Sequence, residues 1–371
     1  MALRITSLGL RDFRNYSEFE LDPDAKLTIL VGPNGAGKTN VVEAIQLLTA
    51  TTSFRNPQWA ELVRWGQAQA SARLEAEGDG RKLEMGLEIT AEGRRTYRVN
   101  GAVRRRKSEV LGILPSVLFS PDDLRMVKES PERRRDAVDE LGRQLSASYA
   151  AILSDYEKAL RQRNALLKLD RPDKMALAAW TERLVELGSS LSVHRTRLFN
   201  RLEPQVAGLY GTLSGGETLA AAYHSSVAGE IAEPIEDKAE FAALFNRRLE
   251  ERAAEETQRR TTALGPPRDD VVFRIGGKDA RTYASQGQQR TIVLAWKLAE
   301  VHVVEEVTGG EPVLLLDDVM SELDEGRRHA LAQFVGDRVQ TFVTTTNLGY
   351  FDGGLAHGAH IVELGAGVTG L

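Results

Sequence analysis

The alternation of apolar and polar positions changes character twice along the chain. Up to about residue 120 it reads mainly as strands. Leu3 to Leu10 and Phe19 to Leu21 are short strand candidates, and Leu27-Thr28-Ile29-Leu30-Val31 is a buried strand that enters a Gly-rich turn. Thr39 to Thr49 then takes helical spacing, with Val42, Ile45 and Leu48 or Leu47 on one face. Lys82 to Thr90 alternates, with Leu83, Met85, Leu87 and Ile89 on one side. Asn100-Gly101, after Tyr97-Arg98-Val99, predicts a hairpin turn, because both residues tolerate positive φ.

From Ser130 the period becomes helical. Ser130 is a candidate N-cap with Pro131 at the first helical position, and the helix is expected to run to about Leu169. Arg171-Pro172-Asp173 ends it, and a second helix, kinked at Pro204, is expected from Met175 to Tyr210. Thr218 to Ser226 has the look of a strand and turn, and Ala239 to Thr262 that of a charged helix. The last hundred residues return to α/β character: strands at Val271–Ile275, Pro312–Leu316, Thr341–Thr345 and His360–Leu364, and a helix from Gln289 to Val307. The expected fold class is therefore α/β. Residues 1–120 and 288–371 form a discontinuous lobe, and a mainly helical second lobe, residues 121–287, is inserted between them. No heptads are sustained beyond the two long helices, so no long coiled-coil arm is expected.

Composition narrows the class only a little. The chain has 371 residues, no cysteine and a formal net charge of -5. The lack of cysteine excludes disulfides and thiolate-ligated zinc and fits a reducing, cytoplasmic setting. No apolar run is long enough to span a bilayer, and the first residues lack the apolar region of a signal peptide, so no membrane partner is expected. His357 and His360 are the only close histidine pair and have no acidic neighbour, so no metal site is expected there. The acidic total says little about nucleic acid, because basic runs stand at Arg104-Arg105-Arg106-Lys107, at Arg133-Arg134-Arg135, and at Arg247-Arg248 with Arg259-Arg260.

The candidate chemistry begins at Gly32-Pro33-Asn34-Gly35-Ala36-Gly37-Lys38-Thr39, a G-x-x-x-x-G-K-[ST] loop between a buried strand and a helix. Its glycines let backbone N–H groups turn toward phosphates, and the helix N-terminus adds its positive end. Lys38 is expected to reach the β- and γ-phosphates, facing solvent when the loop is empty, and Thr39 to ligate Mg²⁺. Such a loop needs a distant carboxylate. Val313-Leu314-Leu315-Leu316-Asp317-Asp318 supplies one at the end of an apolar run: Asp317 for Mg²⁺, Asp318 as a general base for the attacking water. Most of the chain separates Lys38 from Asp317, which implies the large insertion.

An ATPase of the ABC type completes its site with a Ser-Gly loop from a second protomer. Two candidates exist. Leu213-Ser214-Gly215-Gly216-Glu217 is closer in wording to LSGGQ. Ser285-Gln286-Gly287-Gln288-Gln289-Arg290 is less similar but opens a helix that leads directly to the acidic strand, and it is taken as the functional loop. The Ser214 turn is read as the end of a long helix. Ser321-Glu322-Leu323-Asp324 is either a loop that crosses a dimer interface or a helix cap with Ser321 at its start. Thr341-Phe342-Val343-Thr344-Thr345-Thr346-Asn347 ends a strand where a switch histidine is usual and offers only Thr hydroxyls and an Asn amide, and Asp122 or Asp123 is the available substitute for an absent Gln loop. Arg133, Arg134 and Arg135 fall in the first turn of a helix, where cations oppose the macrodipole. They suit phosphates or acids across the lobe interface, or else form a solvated or salt-bridged basic turn.

Phe13-Arg14-Asn15-Tyr16, GPNGAGKTN, Phe119-Ser120-Pro121-Asp122-Asp123-Leu124, Ser130-Pro131-Glu132-Arg133-Arg134-Arg135, SQGQQR, LLLDDVMSELD and FVTTTN together resemble the RecF family of ABC/SMC-like ATPase heads, over nearly the whole chain. The resemblance implies recombinational repair of DNA. A dimer induced by ATP would bind duplex DNA and single-strand gap junctions, work with RecR and RecO, and help load RecA. It also places around the nucleotide Arg14, Asn15, Asn34, Asn40, Gly287, Gln288 and Asp324, besides the P-loop and Ser285. Asp318, one methylene shorter than the usual glutamate, predicts slow hydrolysis, and a weak DNA-stimulated ATPase is expected. An SMC-like chromosome-organising ATPase would need a longer coiled coil. A nucleotide-gated DNA-binding module with negligible turnover would share every motif and differ only in rate.

Overall fold

The computed structural model describes residues 3–336, 338–351 and 358–365. The chain divides into two compact units, Met1–Leu124 with Lys297–Leu371, and Arg125–Trp296. The second crossing falls inside the helix Gln286–Thr308, a little beyond residue 288, where the sequence pattern put it. His357 lies outside the described residues.

The first unit carries two sheets. One is antiparallel, built from Tyr16–Leu21, Arg4–Phe13, Gln69–Gly78, Arg81–Thr90, Arg95–Val99 and Ala102–Arg104 in that spatial order. The last two strands turn at Asn100 (φ 50°) and Gly101 (φ 76°), as expected of an Asn-Gly hairpin. Gln69–Gly78 left little trace in the sequence, because its inward positions are mostly Ala70, Ala72 and Ala76, with only Leu74 of any size. The other sheet is parallel, in the order His360–Glu363, Leu27–Val31, Thr341–Thr345, Val313–Asp317, Ser116–Phe119. Its inner strands Leu27–Val31 and Val313–Asp317 are near-continuous apolar runs, as burial on both faces requires, while the edge strand His360–Glu363 is only half-buried. The helix Lys38–Ala50 is buried along almost its whole length, and its Val41, Val42, Ile45 and Leu48 join Leu10, Leu74, Leu87 and Leu315 in one core. Gln340 fastens the two sheets from inside: its amide accepts from the N–H of Ile5 at 2.7 Å and donates to the Ile5 carbonyl at 2.8 Å.

The second unit is helical, with a small antiparallel sheet. The expected helix from Ser130 to Leu169 is two helices, Pro131–Leu145 and Ala147–Leu167. Ser146 between them is extended, and its hydroxyl accepts from the Tyr149 N–H, so a serine that looked like a mid-helix residue is an N-cap. Lys174–Leu213 is one helix of 40 residues that contains Pro204, about 60 Å long at 1.5 Å per residue. The charged helix is also two, Lys238–Glu251 and Ala253–Arg259. Leu219–Ser225 and Asp270–Ile275 pair antiparallel. Tyr149, Tyr156, Leu184, Leu191, Phe241 and Phe245 form this unit's own core.

The Arg133–Arg135 cluster finds its partners within this unit. Arg134 is buried and forks onto Asp270 at 2.7 and 3.0 Å, while its third nitrogen donates to the carbonyls of Met126 and Glu129. Arg135 donates to the Asp269 carbonyl at 2.8 Å, and Arg133 pairs with Glu129 at 2.6 Å. These partners are acids and carbonyls of the arginines' own unit, which fits a salt-bridged basic turn and not acids across the lobe interface.

A candidate nucleotide site at the carboxyl ends of a parallel sheet

Parallel strands bring all their carboxyl ends to one edge, and in such sheets that edge is where ligands bind. Here the edge carries the P-loop after Val31, the acids after Leu316 and the threonines at the end of Thr341–Thr345. The register sets Asp317 beside Thr344 and Thr345 beside Val31.

The loop's glycines answer to specific neighbours. A Cβ on Gly32 would lie 2.2 Å from the carbonyl oxygen of Leu364, so the last strand's backbone admits no side chain there. Gly37 has φ 99°, and a Cβ on it would meet the Tyr16 hydroxyl at 2.6 Å. Gly35 has φ 83° and faces open space, so its demand is conformational. The helix Lys38–Ala50 has no side-chain cap at Gly37, which leaves its first N–H groups without a side-chain acceptor.

Lys38 is buried, contrary to the expectation that it faces solvent. Its ammonium donates to the carbonyls of Gly32 at 2.7 Å and Pro33 at 2.9 Å, so the loop's own backbone wraps its lysine. Burial pushes its pKa below the ordinary lysine value, against the opposing pull of Asp318 and Asp317. The Thr39 hydroxyl stands close enough to the Asp317 carboxylate to lower its pKa. Thr344 donates to Asp317 at 2.9 Å and its oxygen accepts from the Asp318 N–H at 2.9 Å. Burial raises the Asp317 carboxyl pKa, and Thr344 and Thr39 offset part of that. Asp318 is held in the left-handed region, φ 53°. One of its carboxylate oxygens is buried and takes no hydrogen bond among the described residues. Its pKa is raised by burial, with Lys38 pulling it down. That oxygen is open to a further donor, and the Lys38 ammonium is the cation acting on this carboxylate.

Thr39 and Asp317 are the oxygen donors a hard cation takes. Among the described residues no cluster of three His, Asp or Glu stands ready for a metal by itself. The fit is therefore to Mg²⁺ that draws its remaining ligands from phosphates and water.

The Phe13-Arg14-Asn15-Tyr16 segment turns beside the P-loop helix, with Arg14 at φ 54°. Arg14 forks onto Glu43 at 2.9 and 2.7 Å, and Ser53 and Arg55 also reach that carboxylate. Glu43 is fully buried on the P-loop helix, a center the sequence pattern did not single out. Asn40 donates to Asn15 at 2.7 Å and accepts from Arg55 at 2.8 Å. Asn34 is exposed on the loop. Asp123 accepts from the Ser120 N–H and hydroxyl and pairs with the buried Lys297 at 3.3 Å, which commits it to protein partners. Asp324, and not Ser321, caps the helix Glu325–Val335, accepting from the Arg327 N–H at 2.9 Å. The Ser321 hydroxyl donates to the Asp318 carbonyl.

In the second unit the two Ser-Gly candidates differ in polarity. Ser214 is the C-cap of Lys174–Leu213, with Gly215 and Gly216 at positive φ. Ser285, exposed, precedes the helix Gln286–Thr308. Its hydroxyl accepts from the Gln288 N–H at 3.2 Å, and the Gln288 side-chain carbonyl accepts from the Ser285 N–H at 2.9 Å. This reciprocal box orders the loop and leaves the Ser285 hydroxyl proton free to donate. Gly287 lies in its first turn.

Comparison with known proteins agrees with this geometry. The family model RecF/RecN/SMC N terminal domain matches residues 4–357. The protein named DNA replication and repair protein RecF from Synechococcus sp. (strain JA-3-3Ab) is 42% identical over 365 residues, 97% of this chain and 96% of its own. The solved structure of the recombination mediator protein RecF-ATPrS in the RecFOR pathway superposes with a TM-score of 0.88 at 31% identity, covering 95% of each chain. Another, described as RecF-ATP in the same pathway, gives 0.86 at 31% identity, covering 93% of this chain and 92% of the other. The fold is an ABC/SMC-like ATPase head, and the chain belongs to the RecF family.

Proposed function

We propose that the protein is a DNA replication and repair ATPase whose ATP-induced dimer binds DNA. The observation that carries the reading is the chain of contacts at one sheet edge, from the P-loop through Thr39 to Asp317 and Thr344, with Lys38 held by the loop's own carbonyls. ATP binding would move the Lys38 ammonium from the Gly32 and Pro33 carbonyls to phosphate oxygens, while the uncapped helix N-terminus receives the phosphates. Thr39 and Asp317 would hold Mg²⁺, which supplies charge neutralisation to the phosphates. Asp318 has a free, partly desolvated carboxylate oxygen for the attacking water, and its raised pKa suits a general base. Ser285 and the N–H groups behind it would meet the γ-phosphate bound by a second protomer, which makes dimerisation depend on ATP. Arg14, Asn15, Asn40 and Asp324 support the site from the protein side.

The relatives' names and the pathway printed for the similar structures support repair partners of the RecR, RecO and RecA kind. Among the basic runs, Arg105, Arg106 and Lys107 remain exposed after the edge strand Ala102–Arg104, where phosphates can reach them. The direct test is the affinity for a fluorescent duplex with a single-strand gap, with and without ATP and Mg²⁺ at one fixed salt concentration. The reading expects ATP to tighten binding at least about tenfold, a difference of about 1.4 kcal/mol. Equal affinity in both conditions contradicts it.

A further inference from the structure

The LSGGE-like turn has no phosphate-facing geometry of its own, yet its last residue reaches the loop that does. The Glu217 carboxylate accepts from the Gln288 side-chain amide at 2.7 Å on one oxygen and from the Tyr210 hydroxyl on the other. Tyr210 is fully buried in the long helix Lys174–Leu213. Gln288 is the residue whose side-chain carbonyl holds the Ser285 N–H. One half-buried carboxylate thus joins the end of the long helix to the loop that opens Gln286–Thr308, all within the second unit.

We propose that Glu217 is a positioning residue for the Ser285–Gln288 loop, fixing the Gln288 side chain so that the Ser285 hydroxyl is presented to a nucleotide held by a second protomer. The physical case is orientational. A glutamine amide has two ends, and only one orientation lets its carbonyl accept from Ser285. A carboxylate accepts and cannot donate, so Glu217 selects the orientation with the Gln288 NH₂ toward itself. Tyr210 fixes the carboxylate in turn, and the hydrogen bonds to a charged acceptor are of the stronger kind. Without Glu217, the Gln288 side chain can rotate or flip, the Ser285 N–H loses its acceptor, and the loop must be ordered at the moment of dimerisation. That ordering weakens association without touching the P-loop. The inference rests on the reading of Ser285 as the loop that completes the site.

The test compares Glu217→Ala, Glu217→Gln and Ser285→Arg in the full chain. ATP affinity of the monomer and the ATP-induced dimer dissociation constant are both measured. Glu217→Ala is expected to keep the ATP affinity and weaken the dimer about tenfold. Glu217→Gln is expected to restore the dimer to within about twofold, because its carbonyl still accepts from Gln288 and its NH₂ can donate to the Tyr210 oxygen. A turn that matters only for folding would lower melting temperature and ATP affinity together and would not distinguish Ala from Gln in the dimer constant. Parental dimerisation by Glu217→Ala, or equal loss in Ala and Gln, overturns the proposal. Ser285→Arg separates the two failures. If it blocks the dimer while Glu217→Ala does not, the positioning role falls and the signature assignment stands. If it dimerises normally, the signature assignment falls first.

Discussion

The turns at Ser214 and Ser285 carry the same residue types and stand at opposite ends of helices. Ser214 with Gly215 and Gly216 terminates a 40-residue helix, so the backbone groups it leaves over are carbonyls and the local dipole is negative. Ser285 opens a 23-residue helix, so the groups left over are N–H donors and the dipole is positive. By dipole sign alone, a phosphate is disfavoured at the first end and favoured at the second, although the first is closer in wording to LSGGQ. The P-loop repeats the lesson, since Gly37 opens its helix with no side-chain cap. Charge alone is a poorer guide than polarity. Arg133, Arg134 and Arg135 also stand at a helix N-terminus, and there the cations face Glu129, Asp270 and a carbonyl of the protein itself.

The comparison can be broken at each of these ends. The largest effect is expected at Asp318→Asn. Hydrolysis should fall by about 100-fold or more while ATP binding and the dimer persist, because removal of a general base costs that much and Thr39 and Asp317 are untouched. Hydrolysis at the parental rate would remove Asp318 from the mechanism. Next, Arg134→Ala should destabilise the protein by about 3–5 kcal/mol in denaturant unfolding, since it leaves the Asp270 carboxylate and the carbonyls of Met126 and Glu129 without their donor. The salt slope of DNA binding should not change in the folded protein, and a slope reduced by one contact would return this arginine to the DNA. Lys38→Met should weaken ATP binding about 100-fold, measured by titration calorimetry. Because Lys38 is buried and ties Gly32 and Pro33, its melting temperature should also drop, a coupling that a solvent-facing lysine would not produce.

A smaller effect concerns pH. Burial raises the folded-state pKa of both Asp317 and Asp318. A raised carboxyl contributes stability that is present below the ordinary carboxylate range and is lost as pH rises through the folded value. At neutral pH the ligand-free parent therefore carries two unfavourable buried charges, and Asp318→Asn removes one at a position, φ 53°, that asparagine tolerates well. Ligand-free Asp318→Asn should melt slightly higher than the parent at neutral pH, and the gap should close toward acid. A lower melting temperature at neutral pH would contradict the sign.

Much of the first unit was legible because its constraints are local. A P-loop requires glycines where the backbone is left-handed or where Leu364 and Tyr16 press against it, and a strand buried on both faces requires an apolar run. The Asn-Gly hairpin and the acids after Leu316 followed from the same kind of rule. What stayed hidden depends on partners far apart in the chain. Glu43 looks like a solvated helix position and is enclosed by Arg14, Ser53 and Arg55. Thr344 offered only a hydroxyl in a strand, and its role comes from register with Asp317. The break at Ser146 was masked because serine is tolerated inside helices as well as at caps. Glu217 and Gln288 leave no periodic signal, and the second unit's amphipathic pattern could not announce their contact.

The mass of the protein in solution with and without ATP and Mg²⁺, measured for Ser285→Arg and Ser214→Arg side by side, decides which loop completes the site. Ser285→Arg should bind ATP as a monomer and stay one, since a bulky cation replaces a hydroxyl at the closed interface while Lys38 and Thr39 remain. Ser214→Arg should double its mass on ATP as the parent does. A dimer from Ser285→Arg together with a monomer from Ser214→Arg would reverse the assignment and show that wording, not helix polarity, identifies the loop.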